Sequence, residues 1–295
     1  LAEALIICRF LHFGAAMLLF GTSTFSGVLA PIGFGPRLER AFARPQAGLV
    51  LLLVITTVAW LLLETAEIGD GWSDAVNPVT IWAVLTGTNF GGVWLVRLVL
   101  MLLPPAALLL RGRPRQLGLA LASALLLASL GFVGHAADED GWLGIAHRLN
   151  HAVHLLSGGF WVGCLPPLLF ALFLLRDATL RQEAGAALRR YSSIGHVAVA
   201  LVVLTGAINT AFILGGLPTD LSAPYQLLLV IKIALVAVMM GVAIFNRYVA
   251  VPRLSLSWGW RGIVTGTVVE IILGAAVVAL VSAFATFDPM PGMDM

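Results

Sequence analysis

Charge is scarce in this chain: Asp, Glu, Lys and Arg together make up 11% of its 295 residues. So few charges cannot clothe a water-soluble domain of ordinary size, and none is expected. Cysteine is scarcer still. Cys8 and Cys164 are the two present, both inside apolar runs, which argues against a disulfide framework. The sequence also lacks a Walker A motif, a Rossmann glycine pattern and a G-x-S-x-G nucleophile elbow. Nucleotide-driven pumping and soluble-type hydrolysis are therefore not expected of this chain, and neither is a nucleic-acid partner.

What is present is hydrophobic sequence, at 60% of residues, in recurring runs of about 20. This pattern predicts an all-α polytopic transmembrane helix bundle in the lipid bilayer. Eight spans are expected near residues 4–32, 47–66, 91–110, 116–134, 148–175, 192–214, 226–246 and 262–287. The first run lacks a basic n-region and a clear cleavage site, so it is read as a retained span.

Most of the 17 Lys and Arg fall in alternate connections: Arg37, Arg40 and Arg44; Arg111, Arg113 and Arg115; Arg176, Arg181, Arg189 and Arg190; Arg247, Arg253 and Arg261. The positive-inside rule makes those connections cytoplasmic and puts both termini outside, in the bacterial periplasm. Within the first outer connection, residues 80–85 are apolar but too short to cross, which predicts a helix lying at the interface. Pro104-Pro105 and Pro166-Pro167 should interrupt spans 3 and 5.

Span 1 carries His12 and Gly21, and span 5 carries His154 and Gly163 at the same offset. Arg97 of span 3 likewise matches Lys232 of span 7 in an apolar setting. These matches predict a parallel four-plus-four duplication of one transmembrane domain, with halves 1–140 and 141–287 and a Met-containing tail at 288–295. Chance alignment of apolar stretches is the competing explanation.

The candidate chemistry gathers around histidine. His147, His151 and His154 stand at i, i+4 and i+7, so they share one helix face entering span 5. With His12 and His135, five of the six histidines collect at the outer level. Imidazole suits copper, zinc and haem iron alike. The tail adds Met290, Met293 and Met295, whose thioethers are soft ligands selective for Cu(I); the alternative is a tail without a ligand role. Cys8 shares a face with His12 and is either a soft ligand or a small buried apolar residue. Arg97, Lys232 and Glu270 lie deepest in spans and should face the bundle interior. His196, near the arginine-rich end, suits a structural role.

Several short motifs occur in order along nearly the whole chain: Arg9-Phe-Leu-His12, Gly134-His135-Ala136, His154-Leu-Leu with Trp161-Val-Gly163, Thr205-Gly206, Lys232, and Asn246-Arg247 with Pro252. In these the chain resembles the CopD/PcoD copper-resistance membrane proteins. The resemblance implies an eight-span inner-membrane protein of copper homeostasis, working beside a CopC-like periplasmic copper carrier and handling or transporting copper.

Two readings follow. In the first, copper is caught by the Met tail and the outer histidines and enters along His147, His151, His154 and His12. No continuous ligand path to the cytoplasm is evident, and a site confined to the outer half suits sensing, storage or redox work. In the second, haem b is clamped by His12 and His154, with His135 and His151 as the reserve pair and Arg97 and Lys232 opposite the propionates. Electrons would then pass to or from periplasmic copper, a quinol or another redox partner. Metal handling is the favoured activity, with redox activity only if haem is bound.

Overall fold

The computed structural model describes residues 1–133, 141–284 and 287. The regular structure in it is helical. The long helices are α1 (Ala2–Thr24), α2 (Gly35–Ile68), α4 (Asn89–Leu100), α6 (Gly112–Ser129), α7 (Gly141–Gly163), α9 (Arg181–Leu214), α10 (Pro224–Phe245) and α11 (Ser257–Phe284). Three short helices, α3 (Pro78–Gly87), α5 (Leu103–Leu108) and α8 (Leu165–Leu174), complete the set. Taking continuous stretches together, eight are long and apolar enough to cross a membrane.

Local chemistry accounts for the boundaries. The proline pairs act as expected: α4 ends before Pro104 and α5 starts beside it, and α7 ends at Gly163 before α8 opens with its prolines in the first turn. The short helix α3 forms where the interfacial segment was expected. Its N-terminus is capped by Asn77, whose Oδ1 accepts from Val79 N–H at 3.0 Å. Gly215 takes φ +65° to end α9.

Helices α2 and α9 begin about three turns before the limits set by hydropathy. A helix closes its backbone bonds internally, so it continues past the apolar band into arginine-bearing turns. Two π turns, Phe25–Leu29 and Asn246–Ala250, follow α1 and α10.

Helix α1 is the hub, packed on α2, α6, α7 and α11. Its crossing with α7 is close enough that a Cβ on Gly21 would collide with the backbone of Gly163 and Cys164, and a Cβ on Gly163 with the Met17 carbonyl. Small residues permit such backbone contact. Around this crossing α6 packs on α7, and α11 packs on α1.

Candidate functional site

The three histidines of α7 meet α9 as successive rungs. Ring His147, 1% exposed, stacks on Phe212 with centroids 4.7 Å apart. One turn on, His151 Nδ1 accepts from Asn209 Nδ2 at 3.1 Å. A further turn on, His154 Nδ1 lies 3.0 Å from Thr205 Oγ1. Positions 147, 151 and 154 thus face 212, 209 and 205, because two antiparallel helices present residues at the same 3–4 spacing. Between the rungs Asn150 Nδ2 donates to Asn209 Oδ1 at 2.8 Å and to the Thr205 carbonyl at 2.9 Å.

The hydrogen bonds fix the tautomers. Thr205 spends its proton on the Leu201 carbonyl at 2.5 Å, so its oxygen accepts from His154 Nδ1–H. The lone pair of His154 is left on Nε2. A ring whose Nδ1–H is held by an oxygen and whose Nε2 carries the lone pair has the form of a metal-ligating histidine. Gly206 makes room for the ring: a Cβ there would stand 3.3 Å from His154 Cε1. His151 has the opposite tautomer, with its lone pair held at Nδ1 by Asn209. The two rings are nearly parallel, with centroids 6.3 Å apart, and both are half-buried.

His12 repeats the first part of this pattern and not the second. Thr56 Oγ1 donates to the Leu52 carbonyl at 2.8 Å and accepts from His12 Nδ1–H at 2.9 Å. The Nε2 lone pair, however, accepts from Arg97 Nη2 at 2.5 Å. Arg97 is fully buried; its Nη1 donates to the Leu126 carbonyl at 2.8 Å and to Ser129 Oγ at 2.5 Å, and its guanidinium lies over Trp94 at 4.8 Å. His12, edge-on to Trp60 at 5.4 Å, is enclosed in this network. A shared iron between His12 and His154 would require breaking the Arg97 bond. Arg97 is held by protein groups, with its two Nη atoms already engaged.

The other candidates are distributed more widely. Lys232 Nζ lies 5.6 Å from the Phe284 ring centroid and within electrostatic reach of His151 and His154. Cys8 donates to the Thr56 carbonyl at 3.4 Å and Cys164 to the Gly21 carbonyl at 3.3 Å, so both serve helix packing. His196 is exposed between the Ser192 carbonyl and Tyr248. His135, Met290, Met293 and Met295 lie outside the described residues. Among the described residues no three His, Cys, Asp or Glu side chains converge as a metal cluster. The five histidines expected at one level therefore resolve, where described, into the pair His151 and His154, the stacked His147 and the enclosed His12.

Sequence reasoning singled out the histidines and Arg97, and named Thr205 within a motif. It gave no role to Asn150, Phe212 or Ser129. Asn150 had a signal, since it stands four residues before His154; Ser129 had none, because its partner comes from another span.

Residues 1–145 match the family described as copper resistance protein D-like, N-terminal domain, and residues 185–284 match copper resistance protein D. The chain is 36% identical to inner membrane protein YebZ of Escherichia coli (strain K12), over 98% of this chain and 99% of that protein. The chain belongs to the copper resistance protein D family. It is also 28% identical to copper resistance protein D of Pseudomonas syringae pv. tomato, over 96% of each. Against copper transport protein CutJ of Bacillus subtilis (strain 168) it is 28% identical over 76% of this chain and 43% of that protein. Like YebZ, it is a protein of the inner membrane, and it is multi-pass. The histidine-bearing turns of α7 lie between the two matched regions.

Proposed function

We propose that this protein binds copper on the periplasmic side of the inner membrane and holds or transports it along the α7–α9 face. Copper is its cargo. His154 is the leading ligand and His151 its neighbour, with His147 behind them toward the outer end of α7. His135, Met290, Met293 and Met295 are the capture ligands on the outside, where a CopC-like carrier delivers the metal. His12 is the inner neighbour, reachable only if Arg97 releases it.

The observation that carries this reading is the tautomer of His154. Its Nδ1–H is fixed by Thr205, and its lone pair is on Nε2 in a half-buried position. Weak, successive sites suit an ion that must also leave. Use of His151 Nε2 requires its proton to move to Nδ1 and the Asn209 amide to turn. That second requirement makes His151 the weaker partner.

The test is copper loading of the purified full chain in detergent under reducing conditions, with bound metal counted after desalting. His154→Ala should lower bound copper more than His151→Ala, and His12→Ala should change it least. Unchanged loading in His154→Ala and His151→Ala sinks the proposal. The haem reading has the His12–Arg97 hydrogen bond against it. An oxidised-minus-reduced absorption spectrum of protein from haem-replete cells tests it directly.

A further inference from the structure

Helix α11 holds a buried carboxylate that copper handling does not use. Glu270, near the middle of α11, is 4% exposed. Its Oε1 accepts from Trp161 Nε1 at 3.3 Å, and its Oε2 accepts from Asn246 Nδ2 at 3.0 Å. Both donors are neutral. Among the described residues the one ion pair joins Arg9 to Glu64, so Glu270 has no cationic partner.

The groups facing it from the surrounding helices are uncharged. From α9 comes Tyr191, whose hydroxyl donates to the Trp161 carbonyl at 3.2 Å; between α7 and α8 lies Cys164, bonded to the Gly21 carbonyl. On the adjoining turns Arg253 is directed to the Val249 carbonyl and the Trp258 ring, and Arg247 is half-exposed. An ionised carboxylate without a cation is costly in such a place.

Asn246 provides the second observation. It is 7% exposed, and its Oδ1 is buried without a hydrogen-bond partner. One amide thus offers a donor, in use, and an acceptor, idle, beside the same carboxyl group. The donor suits a carboxylate. The acceptor suits a carboxylic acid, once the amide turns about its terminal bond. Gly266 leaves the space for that turn, since a Cβ there would collide with both Oδ1 and Nδ2. The same glycine lines a groove between α10 and α11, together with Gly241, Val242, Phe245, Gly262 and Val269.

A purely structural join would not need an acid. Gln46 and Gln116 show the alternative within this protein: their side chains exchange two amide hydrogen bonds, of 2.8 and 3.1 Å, and both are buried. We infer that Glu270 and Asn246 form a proton-binding site, in which Glu270 takes one proton from water to become a neutral acid while the Asn246 amide turns from donor to acceptor. Release reverses both events: the O–H bond breaks, the proton returns to water, and Nδ2 again donates to the carboxylate. The site gives the protein a protonation step separate from the histidine ladder.

Infrared difference spectroscopy on the full chain in lipid nanodiscs, titrated with pH without copper, tests this. A carboxylic-acid C=O band that fades as pH rises and shifts in D2O should be present in wild type and absent in Glu270→Gln. In Asn246→Leu the band should persist with its midpoint displaced by at least one pH unit, a tenfold change in proton affinity. If Glu270→Gln does not fold, the displaced midpoint in Asn246→Leu carries the test. A titrating band unchanged in both variants, or no such band in wild type, overturns the inference. The readout requires no copper, so failure of the copper reading leaves it intact.

Discussion

The guanidinium of Arg97 on α4 lies 2.5 Å from Nε2 of His12 on α1, and among the described residues no arginine takes that place at His154. A threonine on a neighbouring helix holds each of the two histidines, Thr56 for His12 and Thr205 for His154. They differ in what meets the other ring nitrogen. At His12 a buried cation takes the Nε2 lone pair and makes the histidine a helix joint; at His154 the Nε2 lone pair has no hydrogen-bond partner among the described residues.

Removing either partner of that joint should destabilise the protein without touching the α7–α9 face. Arg97→Met strips the His12 acceptor, the Leu126 carbonyl and Ser129 of a charged donor, and each such bond contributes about 1.5–3 kcal/mol. Thermal unfolding in detergent should show lower midpoints for Arg97→Met and His12→Ala. The double variant should lose less than the sum, because the two share one interaction.

Thr205→Val keeps the shape of the residue and removes the oxygen that fixes His154 Nδ1–H. Copper affinity should fall roughly 10–100-fold, the usual effect of losing such an outer partner. Thr56→Val, at the matching place beside His12, should leave affinity near wild type. Competition with a chromophoric Cu(I) chelator reads both values, and equal losses would contradict the asymmetry between His12 and His154.

The α1–α7 crossing tolerates no added carbon at Gly21. Gly21→Ala should cost about 1–3 kcal/mol or more, since the obstruction is backbone and cannot turn aside. Gly14→Ala, on the same helix with open space around it, is the control and should be neutral or stabilising. Midpoints of thermal unfolding distinguish the two.

The segment before α3 is pinned by Asp74. Its carboxylate accepts from Asp70 N–H at 2.6 Å and Thr80 Oγ1 at 3.0 Å, and the Asp70 N–H first, then the hydroxyl, hold it below the usual carboxylate range. A depressed carboxyl favours the folded form above its unfolded pKa, and that advantage disappears as pH falls through the folded value. Hydrogen exchange in α3 should therefore be faster in Asp74→Asn than in wild type at about pH 7 and similar in the two at about pH 2.

Much of this was legible in the sequence because hydropathy and helical period are local signals. The eight spans, the two proline breaks, the short helix α3 and the α7 histidine face all follow from residues close together in the chain. The distinction between His12 and His154 does not. Both stand before the same Gly offset in similar apolar runs, and the residues that separate them, Arg97 and Ser129 on one side and Asn150 with Asn209 on the other, come from different spans or from polar positions with several available partners.

The sequence by itself determined a polytopic bundle, its span order and the equal offsets of His12 to Gly21 and His154 to Gly163, since helical period and membrane thickness act along the chain. Only the tertiary structure decided that the two glycines touch, that Arg97 occupies His12 and that Thr205 leaves His154 its lone pair. A hydrogen bond between helices depends on depth and rotation together, and those are set by packing all the helices at once.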